Sequence, residues 1–264
     1  LLIDLNATDR NGNTALMWAA RKGNLEVVQE LLNPRDLAHL DKDGNPLIDI
    51  NAKDNNGGQT ALMWAVRNRE TEIVRALLAH LDKDGNPLID INAQNSLGYT
   101  ALMWAVRDGE TEIVRALLAH HDTAGNLDVA VNAEDITGTT TLMLAANSGN
   151  TEVVKAILAH LDAAGNLDVA VNAKDDDDQT ALMIAQNKGY RNIVVALSHA
   201  DNSYYSSIQH RKTTERIRSL RDISKTVGDA TASLNKPLKK SHIVMALGAL
   251  AVAAGILYGL APRL

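Results

Sequence analysis

Apolar and polar positions along the first 200 residues fall into a block that returns five times. TALMWAA from Thr14, TALMWAV from Thr60 and again from Thr100, TTLMLAA from Thr140 and TALMIAQ from Thr180 lie 46, 40, 40 and 40 residues apart. Each is followed by a second apolar stretch: LEVVQELL from Leu25, TEIVRALLAH from Thr71 and from Thr111, TEVVKAILAH from Thr151 and RNIVVALSHA from Arg191. Ile73, Val74, Leu77 and Leu78 follow the i, i+1, i+4, i+5 spacing of one helical stripe. Gly23, Gly109, Gly149 and Gly189 stand between the two stretches, where a left-handed residue ends a helix, and Arg69 takes that place in the second unit. The pattern predicts a helix, a tight turn and an antiparallel helix in each unit. One such pair cannot bury its apolar face alone, so the units must stack.

These residues resemble the ankyrin repeat. The resemblance rests on the D-x-x-G-x-T start (Asp9-Arg10-Asn11-Gly12-Asn13-Thr14), on the T-P-L-H-x-A signature, here T-A-L-M-W-A, and on the E-[IV]-V-x-x-L-L second helix. It covers roughly residues 1 to 200. Ala or Thr replaces the family's Pro, Met replaces its His throughout, and the second unit carries an extra glycine at Gly57-Gly58. Loss of the His is expected to weaken the hydrogen bonding of the turns. The implied fold is all-α, a solenoid of antiparallel helix pairs.

The period departs further, because the family's repeat is 33 residues. The additional residues follow the second helices, in AHLDKDGNPLIDIN from Ala79, AHHDTAGNLDVAVN from Ala119 and AHLDAAGNLDVAVN from Ala159. A central Gly-Asn with alternating or β-branched residues on the return side predicts a β-hairpin that lengthens each finger. NPRDLA from Asn33 accounts for the spacing of 46. Residues 1–6 match the return strand at 87–92, so the chain is expected to open inside an earlier repeat, as a fragment.

Composition removes several classes of chemistry. The 264 residues contain no Cys, which excludes disulfides, thiolate metal sites and thiol catalysis. The net charge of −6 hides a division: residues 1 to 204 carry 16 Lys+Arg against 29 Asp+Glu, and residues 205 to 240 carry 9 against 3. The repeats therefore lack the cationic surface that nucleic acid requires. No GxSxG, HExxH, GxxxxGK[ST] or strand-borne GxGxxG occurs, so neither a catalytic residue nor a cofactor is expected.

Four features invite a site. Asp41-Lys42-Asp43-Gly44-Asn45, repeated from Asp82, has the opening of a calcium loop, but Asp84 becomes Ala124 and Ala164 while Gly-Asn persists, which favours a turn over a metal. His39, His80, His120, His160 and His199 end the second helices, too far apart on stacked helices about 8–10 Å from one another to share a zinc; there they suit carbonyl capping. Trp18, Trp64 and Trp104 occupy the x of the signature, where Leu144 and Ile184 stand later. That interchange reads as packing between helices, with an aromatic binding stripe as the other reading. Asp175 to Asp178 form an acidic turn, either solvated or facing a basic partner.

The resemblance implies a protein partner held on the concave face, by the finger tips and the exposed side of the first helices. The varied positions there are Arg10, Asn11 and Asn13, then Asn55, Asn56 and Gln59, then Ser96, Leu97 and Tyr99, then Ile136, Thr137 and Thr139. Arg21, Arg67, Arg107, Asn147 and Asn187 form one column after the first helices. Its three arginines suit an acidic or phosphorylated surface, or simply solvent.

Beyond residue 200 the pattern changes. Residues 201–240 read as a basic linker and an amphipathic helix, with a seam at Thr213, Ile217, Leu220, Ser224, Val227, Thr231, Leu234 and Leu238. That stripe suits a cap on the last repeat first and, through its basic face, an anionic membrane surface second. Within 241–264, Ile243 to Leu260 is 18 residues without a charge, flanked by Lys236, Lys239 and Lys240 and by Arg263. It reaches about 27 Å as a helix, enough for a thin hydrocarbon core, and reads as a transmembrane tail anchor with the repeats on the cytosolic side. Ala251, Gly255 and Gly259 form a small-xxx-small ladder suited to a weak homodimer.

The sequence thus reads as a membrane-tethered scaffold, similar in architecture to ankyrin proteins that intracellular bacteria deliver into host cells. Two alternatives stay open: the cytosolic part of a longer multi-span membrane protein, and a SNARE-like tethering factor.

Overall fold

The structure is a computed structural model, and the residues it describes are 4–33, 47–82, 84–121, 129–160 and 169–200, with 218, 221, 222 and 225. All but the last four belong to the first of two units, Leu1–Asn202. Within that unit the helices come in pairs: α1 (Ala15–Arg21) with α2 (Leu25–Leu31), α3 (Ala61–Arg67) with α4 (Thr71–Leu78), α5 (Ala101–Arg107) with α6 (Thr111–Leu118), and α7 (Thr141–Ser148) with α8 (Thr151–Leu158). The last pair is α9 (Ala181–Lys188) with α10, residues 191–200. First helices stack on first helices from α1 through α9, and second helices on second helices from α2 through α8. This is the solenoid that the five-fold pattern predicts.

Each first helix starts at the signature Thr. Thr14, Thr60, Thr100, Thr140 and Thr180 are extended N-caps, and each hydroxyl accepts the N–H of the Met three residues on, at 3.2–3.3 Å. A cap of this kind supplies about 1 kcal/mol, a large share for a helix of two turns. Met17, Met63, Met103 and Met143 are fully buried between the helix layers. In the fourth repeat the Met that stands in the place of His accepts a hydrogen bond itself, the Thr140 N–H reaching Met143 Sδ at 3.4 Å. In the last repeat Met183 is 47% exposed, with no further repeat against it among the described residues.

The turn between paired helices requires the left-handed region. Arg69 adopts it with φ 64°, like its glycine counterparts, and Arg69 Nε pairs with Glu110 of the next repeat at 2.9 Å.

The finger inserts differ from the sequence expectation. Among the described residues no strand forms. The insert described almost whole, Ala79 to Asn92, turns back at Asp82, whose carboxylate accepts the N–H groups of Asp84 and Asn86 and the Asn86 amide, and a single antiparallel bridge joins Leu81 to Pro87. The carboxylate is spent on the turn, as the Gly-Asn reading anticipates. The alternating residues that suggest a return strand instead bury their apolar members, Ile48 and Ile50, Ile89 and Ile91, Val129 and Val131, Val169 and Val171. Within the insert the Leu88 N–H donates to the His80 carbonyl and the Asp82 N–H to that of Asn86, while between repeats the partners are side chains. Asn6 Oδ1 accepts the Asp49 N–H and its Nδ2 donates to the Leu47 carbonyl; Asn51 does the same to Asp90 and Leu88. Asn92 and Asn132 accept from Ala130 and Ala170 at 2.7 Å. One amide per repeat thus replaces the strand ladder, because an Asn side chain presents the same donor and acceptor as a peptide group.

The finger tips around residues 41–46, 122–128 and 161–168 lie outside the described residues, as do most of the 213–238 seam and the whole of Ile243 to Leu260. No helix among the described residues is long and apolar enough to cross a membrane.

Candidate functional site

The first residue of each turn sets the geometry of the face made by the turn tips and first helices. Asp9 Oδ1 accepts the N–H groups of Asn11 and Asn13, and Asp54, Asn95, Asp135 and Asp175 close their turns in the same way. One backbone hydrogen bond then ties each tip to the next: Asn55 to Asn11, Ser96 to Gly57, Ile136 to Leu97, and Asp176 to Thr137, at 2.8–3.1 Å. These tips form a continuous row held by main-chain contacts, so their side chains are displayed without being needed for the row.

Of the residues read as partner-facing, Arg10, Asn11, Asn55, Asn56, Ser96, Leu97, Ile136 and Thr137 are exposed, and Tyr99 and Thr139 are half-buried. Ile136, 66% exposed, is the most open large apolar side chain on the row. Asn13 and Gln59 are corrections. Both are buried: Asn13 Nδ2 donates to the Asp9 carboxylate, and Gln59 lies under the second turn, where the extra glycine lengthens the loop. Asn13 holds its turn, and neither side chain is open to a partner.

The column of arginines joins the tryptophans in a single ladder. The Arg21 guanidinium carbon lies 5.3 Å from the Trp18 ring centre and 4.5 Å from that of Trp64. Arg67 lies 4.9 Å from Trp64 and 4.5 Å from Trp104, and Arg107 4.0 Å from Trp104 and 5.9 Å from Tyr99. Cations and rings alternate across three repeats at cation–π distance. The ladder arises because Trp and Arg stand three apart on each first helix, which puts them on one side, while stacking brings the next repeat's Trp over the Arg. Neither reading of the tryptophans is complete by itself: Trp18 is 37% exposed and Trp104 5%.

Two rungs are pinned from below. Trp18 Nε1 donates to Asp9 Oδ2 and Trp64 Nε1 to Asp54 Oδ2, each at 3.0 Å. Asn13 above all, then Trp18 and Asn11, holds the Asp9 carboxyl below its ordinary proton affinity, against a smaller opposing effect of burial. The third repeat has Asn95 in place of Asp. Its Oδ1 serves the turn, and its Nδ2 and Trp104 Nε1 are both buried donors without an acceptor. Tyr99, stacked on Trp104 at 4.9 Å, is held above its ordinary proton affinity, first by burial and then by the Asp135 charge.

Beyond Arg107 the same positions hold Leu144 and Asn147, then Ile184 and Asn187. The smaller side chains leave a depression of about 310 Å³ lined by residues that include Met143, Leu144, Asn147, Asp175, Ile184 and Lys188. Asn147 and Asn187 are exposed at its rim.

His80, His120 and His160 are buried just past their helix ends, and burial lowers the proton affinity of His80. Among the described residues no three His, Asp or Glu side chains converge on a point that could hold a metal ion. Two features escape the sequence reading, the Asn ladder and the pairing of Arg with Trp across repeats. The first has a signal in the recurrence of Asn51, Asn92 and Asn132 at one place per period.

Lys239, Lys240, Ile243, Gly255, Gly259 and Leu260, which the sequence reading assigns to a membrane, lie outside the described residues. A family model described as ankyrin repeats (three copies) matches residues 1–87, 46–129, 86–168 and 125–207, in overlapping placements that run over every repeat. No curated protein matches the chain.

Proposed function

The chain belongs to the ankyrin-repeat family, whose arrays are protein-interaction scaffolds, and from that premise we propose that it recruits a protein partner through its first-helix face and holds it at a membrane. The observation that carries the first half is the row of turn tips. Leu97, Ile136 and Thr137 are exposed while their backbones are fixed by contacts between repeats, so a partner meets a preorganised surface and loses little ordering entropy to it. The face corresponds to the concave one that the family uses.

The second half is supported by the uncharged run Ile243 to Leu260 between lysines and Arg263. A span of that length with a Lys-rich flank on the repeat side leaves the repeats on the cytosolic side. Tethering then acts through effective concentration, restricting the partner's encounters to one surface. The small-xxx-small ladder would let two spans pair weakly. The same architecture in bacterial ankyrin proteins delivered into host cells makes capture of a host protein the corresponding role.

Two measurements test the two halves. With and without Ile243 to Leu260, carbonate-resistant membrane association should be kept and lost, with the repeats open to added protease on the cytosolic side; equal solubility of both forms overturns the tether. A photo-crosslinker at Leu97 or Ile136 should trap a discrete partner in cells that one at Glu72 on a second helix does not. Equal trapping from both positions overturns the choice of face.

A further inference from the structure

The Arg–Trp ladder has a chemistry of its own. A guanidinium has two flat faces and an in-plane fork of N–H donors. In Arg21 and Arg67 indoles lie against the guanidinium from two successive repeats, which leaves the fork as the part still available. Both side chains are exposed, and among the described residues neither has a carboxylate in ion-pair range, whereas Arg107 pairs with Asp108 at 3.1 Å. The carboxylates beneath the tryptophans, Asp9 and Asp54, are occupied by turn N–H groups and by the indoles. The arginines are therefore held in place without being neutralised, in a unit that is otherwise strongly acidic.

Their spacing selects a ligand shape. Stacked helices repeat about every 8–10 Å, so the forks recur at that interval. A polyproline II chain rises about 3.1 Å per residue with three residues per turn, which returns a side chain to the same side about every 9.3 Å. A β-strand fails the match, because its residues i and i+3 point to opposite faces. Resting on the scaffold reading above, we propose that the ladder binds an extended polyproline II segment carrying a glutamate at every third residue, one carboxylate in the fork of each of Arg21 and Arg67 and a weaker third at Arg107. The half-buried Trp64 edge between the Arg21 and Arg67 forks supplies an apolar ridge against which a proline packs. Carboxylate suits the site better than a chain of phosphates, since one charge meets one guanidinium and the surrounding acidic surface repels denser charge.

The full chain in neutral detergent micelles, titrated into fluorescein-labelled (Glu-Pro-Pro)3 and read by anisotropy, tests this. Binding is expected, with affinity falling about tenfold or more in Arg67→Met, because a charge-assisted bidentate pair is lost. Arg67→Lys, which keeps the charge and loses the fork, should recover only part of it. Circular dichroism of each variant matching the parent keeps the comparison one of binding. Equal affinity for (Gln-Pro-Pro)3, or for a peptide with glutamates at every second residue, overturns the proposal in favour of apolar or bulk-charge capture. An unchanged Kd in Arg67→Met overturns the site. Two competing occupants have their own signatures: binding to anionic vesicles with no peptide binding indicates a lipid surface, and concentration-dependent self-association abolished by Arg67→Met indicates the acidic turn Asp175–Asp178 of a second copy. Either result overturns the peptide. Loss of peptide binding with crosslinking from Leu97 intact sinks this inference alone; loss of both sinks the scaffold face as well.

Discussion

The first three repeats and the last two share one backbone plan and differ in what fills the space between neighbouring first helices. In the first three, Trp18, Arg21, Trp64, Arg67, Trp104 and Arg107 fill it with alternating rings and cations. In the last two, Leu144, Asn147, Ile184 and Asn187 leave it open as a depression. Thr caps and tip-to-tip hydrogen bonds continue through both halves unchanged, and the signature Met stays buried through the fourth repeat. The lesson is that stacking and surface chemistry are specified by separate columns of residues, so a solenoid can change its face abruptly without changing its core.

The largest test strikes the join between the halves. Gly98 has φ +77°, and a Cβ there would stand 2.8 Å from Asp135 Cα, a backbone atom that cannot swing aside. Gly189 has nearly the same φ of +74° and nothing within 4 Å of its Cβ position. Gly98→Ala should cost about 2–5 kcal/mol, the left-handed penalty plus overpacking, and Gly189→Ala only the penalty of about 1–2 kcal/mol. Equal losses in denaturant unfolding would mean that repeats three and four are not in this close register.

How much of this is legible in the sequence follows from which interactions are periodic. The helix pairs, their order and the buried stripe are readable because the same residue types return at one spacing, and the place of Arg69 among glycines marks the left-handed turn by its position in the period alone. The finger strands are not readable in the same way. Alternation at Ile89 and Ile91 signals burial against the stack; the backbone pairing stops after two bonds across the turn, and Asn51 supplies the partners between repeats. Of the face, the column Arg21, Arg67, Arg107 is legible, but its role is not. The Arg21 and Arg67 guanidinium groups each sit against a ring from the next repeat, 43 residues on from Arg21 to Trp64, and no local pattern reports a contact that only stacking creates.

The next effect separates the pinned rungs from the unpinned one. Asp54→Asn should reproduce in the second repeat what Asn95 does in the third, leaving Trp64 Nε1 and a new amide without acceptors, at a loss of about 1–3 kcal/mol. Asn95→Asp should do the reverse, giving Trp104 Nε1 an acceptor and raising stability by about 1 kcal/mol. Thermal unfolding of both variants checks the pair. A stabilised Asp54→Asn would show that the indole bond contributes nothing net.

A smaller effect measures the cations. Arg67→Met keeps a long side chain between Trp64 and Trp104 and removes the charge, so two cation–π contacts worth about 0.5–1 kcal/mol each are replaced by ordinary apolar packing. The net loss should be about 1 kcal/mol. No loss, together with the weakened peptide binding expected above, would assign the ladder to recognition alone.

The smallest effect sharpens the comparison most, because it rewrites one half as the other. Leu144→Trp with Asn147→Arg carries the ladder into the fourth repeat, where Asp135 occupies the place of Asp9 and Asp54 and stands ready to accept the new indole N–H. Arg107, already against Trp104, would gain a ring on its far side, and the guanidinium introduced by Asn147→Arg would lie over the depression that Ile184 now borders. Stability should rise by less than about 1 kcal/mol, since an exposed cation–π contact adds little and the depression is only partly filled. The informative readout is recognition. A four-glutamate peptide of the same period should then bind more tightly than the three-glutamate one, a gain that is not expected with the parent chain. If the fourth glutamate adds nothing, the forks are not in one register, and the two halves of the face differ in curvature as well as in side chains.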